Sequence, residues 1–244
     1  MNEEEVRRYR AAQQKRIKKR NKQIIRRLLV VVCVMVLIFT AGYSLGRLRQ
    51  EKSEEKVRTM AFARVVEDAP DFEVQLLTPN AYSRPQLTLE KVDGIVVHYT
   101  ANPGTSAKQN HDYFEGLKDS KITKASSHFI IGTEGEIIQC IPSSEIAYAS
   151  NNRNNDTLSI ECCHLDETGQ FTQETYDSLV HLTAWLCGKF DLTTEDVIRH
   201  YDVTGKACPL YFVEHEDAWE KFLLDVQKYI EEHGVQKDAN EIFS

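Results

Sequence analysis

The chain has 244 residues, 41% of them hydrophobic and 27% charged, with a formal net charge of −7; that is room for one or two domains. The charge is unevenly split: residues 1–27 hold 11 basic and 3 acidic side chains, a balance of +8, so the remainder carries −15. An acidic bulk argues against nucleic acid or another polyanion as its main partner.

After the basic arm at 1–27 come 19 uncharged residues, 28–46, rich in Leu, Val and Ile. At about 1.5 Å per residue such a helix spans a bilayer. A core helix would show a polar face, and a cleaved signal peptide would have a shorter apolar stretch and a small-x-small cleavage site. The stretch shows no polar face and no convincing cleavage site, and the basic arm before it is long, so 28–46 reads as an uncleaved transmembrane signal anchor. Basic residues stay on the cytoplasmic side. This orients the chain across a membrane once, with arm 1–27 cytoplasmic and the bulk extracytoplasmic. Residues 47–70 are charged, with few large apolar side chains, and read as a stalk. Pro70-Asp71 opens a domain at 71–232, and 233–244 is a polar tail.

Within that domain, 92–99 is an apolar run that predicts a buried strand. Asn102-Pro103-Gly104-Thr105 is a turn, and Thr105 or Ser106 caps a helix to about Leu117. Runs 127–131 and 136–141 flank Gly132-Thr133-Glu134-Gly135 and predict a hairpin. Residues 147–156, rich in Asn and small side chains, form a loop on the groove, with Asn151 as a substrate-side residue. A strand follows at 158–164. In 172–190, Tyr176, Leu179, Val180, Thr183, Leu186 and Cys187 recur at helical spacing, predicting an amphipathic helix whose stripe is core. A short strand at 197–200 and a closing helix at 218–230 complete the pattern. The fold class is α/β, a single mixed sheet flanked by helices and preceded by one transmembrane helix.

The chemistry gathers at three points. His98 ends the first strand; His200 and Cys208 flank Tyr201-Asp202-Val203-Thr204-Gly205-Lys206-Ala207. Two histidines and a cysteine suit one zinc ion with an open coordination position, which makes a nucleophile from water. Lys206 and Cys208 stand two apart before Pro209, in a segment kept from helix, so both point to one side. A cation there suits a developing oxyanion. His111, His181, His215 and His233 read as structural. Cys33 lies in the apolar span; Cys140, Cys162, Cys163 and Cys187 show no CxxC pattern and read mostly as buried thiols, with a Cys140 pairing or a second site at Cys162, Cys163 and His164 as minor alternatives.

The blocks Gly94-Ile95-Val96-Val97-His98-Tyr99-Thr100, Ala125-Ser126-Ser127-His128-Phe129-Ile130-Ile131, Asp156-Thr157-Leu158-Ser159-Ile160-Glu161 and His200 to Pro209 resemble the zinc-dependent N-acetylmuramoyl-L-alanine amidases of the type 2, peptidoglycan-recognition-protein-like family. The resemblance implies that 71–232 is a catalytic domain, with His98, His200 and Cys208 as zinc ligands. It implies Glu161 as acid/base and Lys206 at the substrate carbonyl. His128 would lie behind the ligands or on the floor of the substrate groove, with Ser127 beside it as a substrate-side residue. Some relatives carry a catalytic Tyr where Ser127 stands; relatives with a small residue there have Glu at the site of Glu161, as here. The implied substrate is peptidoglycan or its muropeptides, cut between N-acetylmuramic acid and L-alanine. The alternative is a muropeptide-binding sensor that has lost catalysis; relatives of that kind typically lack a ligand, often the Cys. One span and a long stalk do not demand a dimer.

Overall fold

The computed structural model describes Arg47 and residues 64–236. The arm at 1–27 and the span expected at 28–46 lie outside the described residues, among which no helix is long and apolar enough to cross a membrane. Cα packing divides the chain into Met1–Met60 and Ala61–Ser244; the second unit carries everything below.

Its centre is a six-stranded mixed sheet made of β2 (Glu73–Val74), β3 (Ile95–Tyr99), β4 (Phe129–Ile131), β5 (Ile137–Gln139), β6 (Leu158–Cys162) and β7 (Val197–Arg199), in the order β2-β5-β4-β6-β3-β7. β4, β6, β3 and β7 run parallel to one another, and β5 turns back antiparallel on β4 as the expected hairpin. The helices are α1 (Ala107–Ser120), α2 (Gln173–Lys189), α3 (His200–Thr204), α4 (Leu210–Glu214) and α5 (Glu216–His233). Ser106 caps α1 through a capping box with Gln109, satisfying two N–H groups that the first turn leaves without partners.

Strand alternation decides what each face sees. Ile95 and Val97 of β3, Leu158, Ile160 and Cys162 of β6, and Phe129 and Ile131 of β4 face Leu179, Leu182 and Leu186 of α2 and Trp219, Phe222 and Val226 of α5. On the other face Ile130, Ile138 and Cys140 pack on Ala107, Phe114 and Leu117 of α1. Each fully buried Ile or Phe contributes about 1.5–3 kcal/mol. α1 packs over β4 and β5, and the β6–β3–β7 part of that face carries the polar His98, Ser159 and Glu161 beside the buried Val96.

The ends of the unit differ from the sequence expectation. Arg64–Val65 (β1) pairs antiparallel with Val235–Gln236 (β8), so part of the stalk at 47–70 and of the tail at 233–244 belongs to the folded unit. Val66 is core, and the Arg64 guanidinium donates to the Gly234 carbonyl at 2.8 Å. A Cβ on Gly234 would lie 2.9 Å from that of Arg64, and one on Gly188 3.1 Å from that of Val65. The contact depends on missing side chains far away in sequence, so a charged local composition conceals it.

Candidate active site

The site sits at the carboxyl ends of the parallel strands, where α/β sheets present ligand sites. His98 and Glu161 are directly paired in the parallel register of β3 and β6, hence on the same face. β7 ends at Arg199, and His200 opens α3. Gly205, at φ +77°, closes α3 in the left-handed conformation, which favours glycine. The chain doubles back, and Tyr201 N–H donates to the Cys208 carbonyl at 2.9 Å.

Three potential ligand atoms, one each from His98, His200 and Cys208, lie within 4.8 Å of one another. His98 Nδ1 is 3.9 Å from Cys208 Sγ and 4.0 Å from Glu161 Oε1; the two imidazole centroids are 4.6 Å apart. All three residues are buried. Burial, together with the neighbouring His200 and Lys206, drives His98 well below its ordinary pKa. Burial and Lys206 lower His200 as well. Both rings are therefore neutral, the form that binds a metal. Burial pushes the Cys208 thiol up to about 12, against the Tyr99 N–H and Lys206, which favour the thiolate.

Glu161 has one carboxylate oxygen, Oε2, buried without a hydrogen-bond partner. Burial pushes its pKa up to about 8, partly offset by Lys206. A buried carboxylate oxygen without a partner is costly, and beside a cluster of two histidines and a cysteine it is where a metal or its water would supply one. Two neutral imidazoles, a cysteine and an adjacent carboxylate fit a zinc ion with three protein ligands. No other group of three or more His, Cys, Asp or Glu residues among the described residues is close enough for this, so Cys162, Cys163 and His164 form no second site.

The remaining expectations divide. Lys206 is exposed beside the cluster. Asn151 is exposed and its Oδ1 lies 3.0 Å from His200 Nε2, so it engages a histidine of the cluster. Ser127, expected at the substrate groove, and His128, expected behind the ligands or on the floor of that groove, are both internal. The Ser127 hydroxyl is shared between the Phe129 and Ser159 carbonyls at 2.9 and 3.0 Å. His128 Nδ1 accepts from Ser159 N–H at 3.0 Å, and its Nε2 donates to the Glu145 carbonyl at 2.9 Å. Both side chains tie β4 to β6 and to the 145 turn, and neither has surface to offer a ligand, at 0% and 1% exposure. The five described cysteines are free and buried, without the Cys140 pairing.

Sequence reading missed two residues. Ser150, 1% exposed, holds His98 Nε2 at 3.1 Å. Arg199, just before His200, donates to Asp202, Glu216 and the Phe212 carbonyl, fastening α3 to α4 and α5. Its i,i+3 spacing to Asp202 was the only available signal. A concavity of about 420 Å³ beside α2, α4 and α5 contains none of the cluster residues; there the Tyr176 hydroxyl is committed to Asp225 at 2.6 Å.

Residues 88–210 match the family model described as N-acetylmuramoyl-L-alanine amidase. The chain belongs to this family. It is 35% identical over 173 residues to "N-acetylmuramoyl-L-alanine amidase CwlL" of Bacillus licheniformis, covering 66% of this chain and 48% of that protein. It is 31% identical over 179 residues to "N-acetylmuramoyl-L-alanine amidase BlyA" of Bacillus subtilis (strain 168), covering 65% and 47%. The chain thus spans about half the length of these curated relatives. Among solved structures, the PlyG catalytic domain superposes with a TM-score of 0.57 at 24% identity, over 65% of this amidase-family chain and 94% of that one. PlyL superposes at 0.56 and 24%, over 64% and 97%. These two likenesses speak to the fold.

Proposed function

We propose that this chain is a zinc-dependent N-acetylmuramoyl-L-alanine amidase acting on peptidoglycan, held at the outer side of a bacterial cell membrane by an anchor at 28–46. One observation carries the catalytic part: the convergence of His98, His200 and Cys208 to within 4.8 Å beside a carboxylate with an unpartnered oxygen. Family membership supplies the substrate class. The anchor rests on the uncharged stretch and on the basic arm before it.

Zinc, when bound by His98, His200 and Cys208, supplies Lewis acidity and lowers the pKa of water. The chain's own groups do the rest. Glu161 accepts the proton of the attacking water and delivers it to the departing nitrogen of L-alanine. The bond from the lactyl carbonyl carbon to that nitrogen breaks, and a carbon–oxygen bond to the water forms, giving a carboxylic acid and a free amine, which then exchange a proton to leave a carboxylate and an ammonium group. Lys206 places positive charge where the carbonyl oxygen becomes negative. The Glu161 pKa of about 8 already includes the effect of Lys206; beside the added positive charge of a bound zinc the carboxylate would favour the ionised form that takes the proton, and a pKa raised by burial suits the group that then gives it.

The test is digestion of purified peptidoglycan by wild type, His200→Ala and Glu161→Ala, with chelator and with zinc restored, products being identified by mass. Wild type should release intact stem peptides with a new L-alanine amine; both variants and the chelated enzyme should not. Binding of muropeptides without cleavage, indifferent to zinc, would reject the amidase for a sensor, and cuts inside the stem peptide would make it a peptidase. Recovery of the full chain in the soluble fraction would reject the anchor.

A further inference from the structure

We infer that Ser150 and Asn151 act as one clamp that sets the tautomer and ring orientation of both metal-side histidines. This rests on the zinc reading above and adds to it two positioning residues that are neighbours in sequence. His98 Nε2 lies 3.1 Å from Ser150 Oγ, and His200 Nε2 lies 3.0 Å from Asn151 Oδ1. An amide oxygen only accepts, so His200 carries its proton on Nε2 and leaves Nδ1 as the lone-pair nitrogen. His98 Nδ1 is the nitrogen facing Cys208 Sγ at 3.9 Å and Glu161 Oε1 at 4.0 Å. Its Nε2 is thereby the nitrogen left to the Ser150 hydroxyl, which serves as acceptor. Both imidazoles thus present Nδ1 inward, and the outer N–H of each is taken up by one of two consecutive residues.

The clamp is fixed independently of the histidines it holds. Asn154 Oδ1 accepts both the Ala149 and the Ser150 N–H, at 3.1 and 2.6 Å. A 3₁₀ turn covers Asn151–Arg153, and the Arg153 guanidinium donates to both oxygens of Asp156 at 2.8 and 3.0 Å. The Thr157 hydroxyl closes on the Arg153 carbonyl at 2.6 Å, delivering the chain straight into β6. Asn151 itself stands at φ +54°, a conformation that non-glycine residues adopt at some cost. Holding that backbone while aiming Oδ1 at His200 is the arrangement expected of a partner that orients a ligand. His98 comes from β3 and His200 from the end of β7, so a single short loop coordinates two distant segments.

The experiment uses the full chain in detergent micelles, with ¹⁵N-histidine labelling. Long-range ¹H–¹⁵N correlation reads the tautomer of each histidine in zinc-free protein, and competition with a chromophoric chelator reads zinc affinity. Ser150→Ala removes one acceptor. Asn151→Gly removes the other while keeping the positive φ accessible, and Asn151→Asp keeps an acceptor oxygen. Wild type should show Nε2–H on both His98 and His200. Ser150→Ala should change the signal of His98 alone and Asn151→Gly that of His200 alone. Each should lose about 10- to 100-fold in zinc affinity, with Asn151→Asp restoring it. An Nδ1–H tautomer on either wild-type histidine, or zinc affinity unchanged in both Ser150→Ala and Asn151→Gly, would overturn the clamp. A wild type that binds zinc with these tautomers yet leaves peptidoglycan uncut would instead overturn the amidase reading and leave the clamp standing. A wild type that binds no zinc would reject the zinc site, and the tautomers alone would then decide the clamp.

Discussion

The buried His128 should make the domain acid-sensitive in a way that a single substitution abolishes. Its Nδ1 accepts the Ser159 N–H and its Nε2 donates to the Glu145 carbonyl, so an added proton on Nδ1 would set one N–H against another. Burial accordingly lowers its pKa from 6.5 to about 4, opposed by the Glu145 carbonyl. Between those values the unfolded chain binds the proton and the folded chain does not. Stability is therefore complete above pH 6.5 and falls as the pH drops toward about 4. The full span is worth about 3 kcal/mol, and the interval from about pH 7.5 to about pH 5 about 2 kcal/mol. His128→Asn keeps an acceptor for the Ser159 N–H but strands the Glu145 carbonyl, which costs about 1–3 kcal/mol at every pH. Urea unfolding of residues 61–244, followed by circular dichroism across this range, should show the gap between wild type and variant narrowing by about 2 kcal/mol toward acid. Pairing with the wild type cancels the contributions of His98 and His200. Two parallel stability curves would refute the reasoning.

Glu161→Gln should lower kcat by about 10²- to 10⁴-fold with zinc content unchanged by atomic absorption; loss of the metal would show that the carboxylate holds the site together instead. Zinc at about 100 times its Kd should raise stability by about 2.7 kcal/mol, seen as a higher Tm that is absent in His98→Ala; equal shifts in both proteins would place the ion elsewhere. Phe222 is fully buried, its ring 5.5 Å from Phe212 and 5.3 Å from Trp219, so Phe222→Ala should cost about 3–5 kcal/mol in urea unfolding. A loss under about 1 kcal/mol would mean that this cluster adds little to the core.

The strands and helices of the centre were legible because periodicity and burial coincide there. Leu158, Ile160 and Cys162 alternate with Ser159 and Glu161, and the apolar stripe of α2 meets the sheet as the spacing implies. The cluster was legible because its members end strands or flank a tight turn, positions where side-chain direction follows from local geometry. What escaped was decided at long range. The β1–β8 pair joins segments about 170 residues apart through close approaches at Gly188 and Gly234. The inward burial of Ser127 and His128 depends on their partners Ser159 and Glu145, across the sheet and at a turn. A small-residue-His-Phe motif looks the same whether its His lines a groove or braces two strands. Only the register of β4 against β6 separates the cases.

Lys206 ties the electrostatics of the cluster together. Its charge lowers the pKa of His98, His200, Glu161 and Cys208 alike. For the two imidazoles and the thiol this favours the proton-free forms that bind a metal, and for Glu161 it favours the base. Burial acts in the same sense on the histidines but in the opposite sense on Glu161 and Cys208, where it is the larger effect. The lysine therefore offsets part of the cost of placing two acids in a low-dielectric pocket, and does so from an exposed position. The same placement leaves that charge on the accessible side of the cluster, where a substrate carbonyl would approach. On the proposed mechanism, one exposed cation would both favour the metal-binding forms of these groups and meet the developing oxyanion, and a single turn closed by Gly205 carries Lys206 two residues before Cys208.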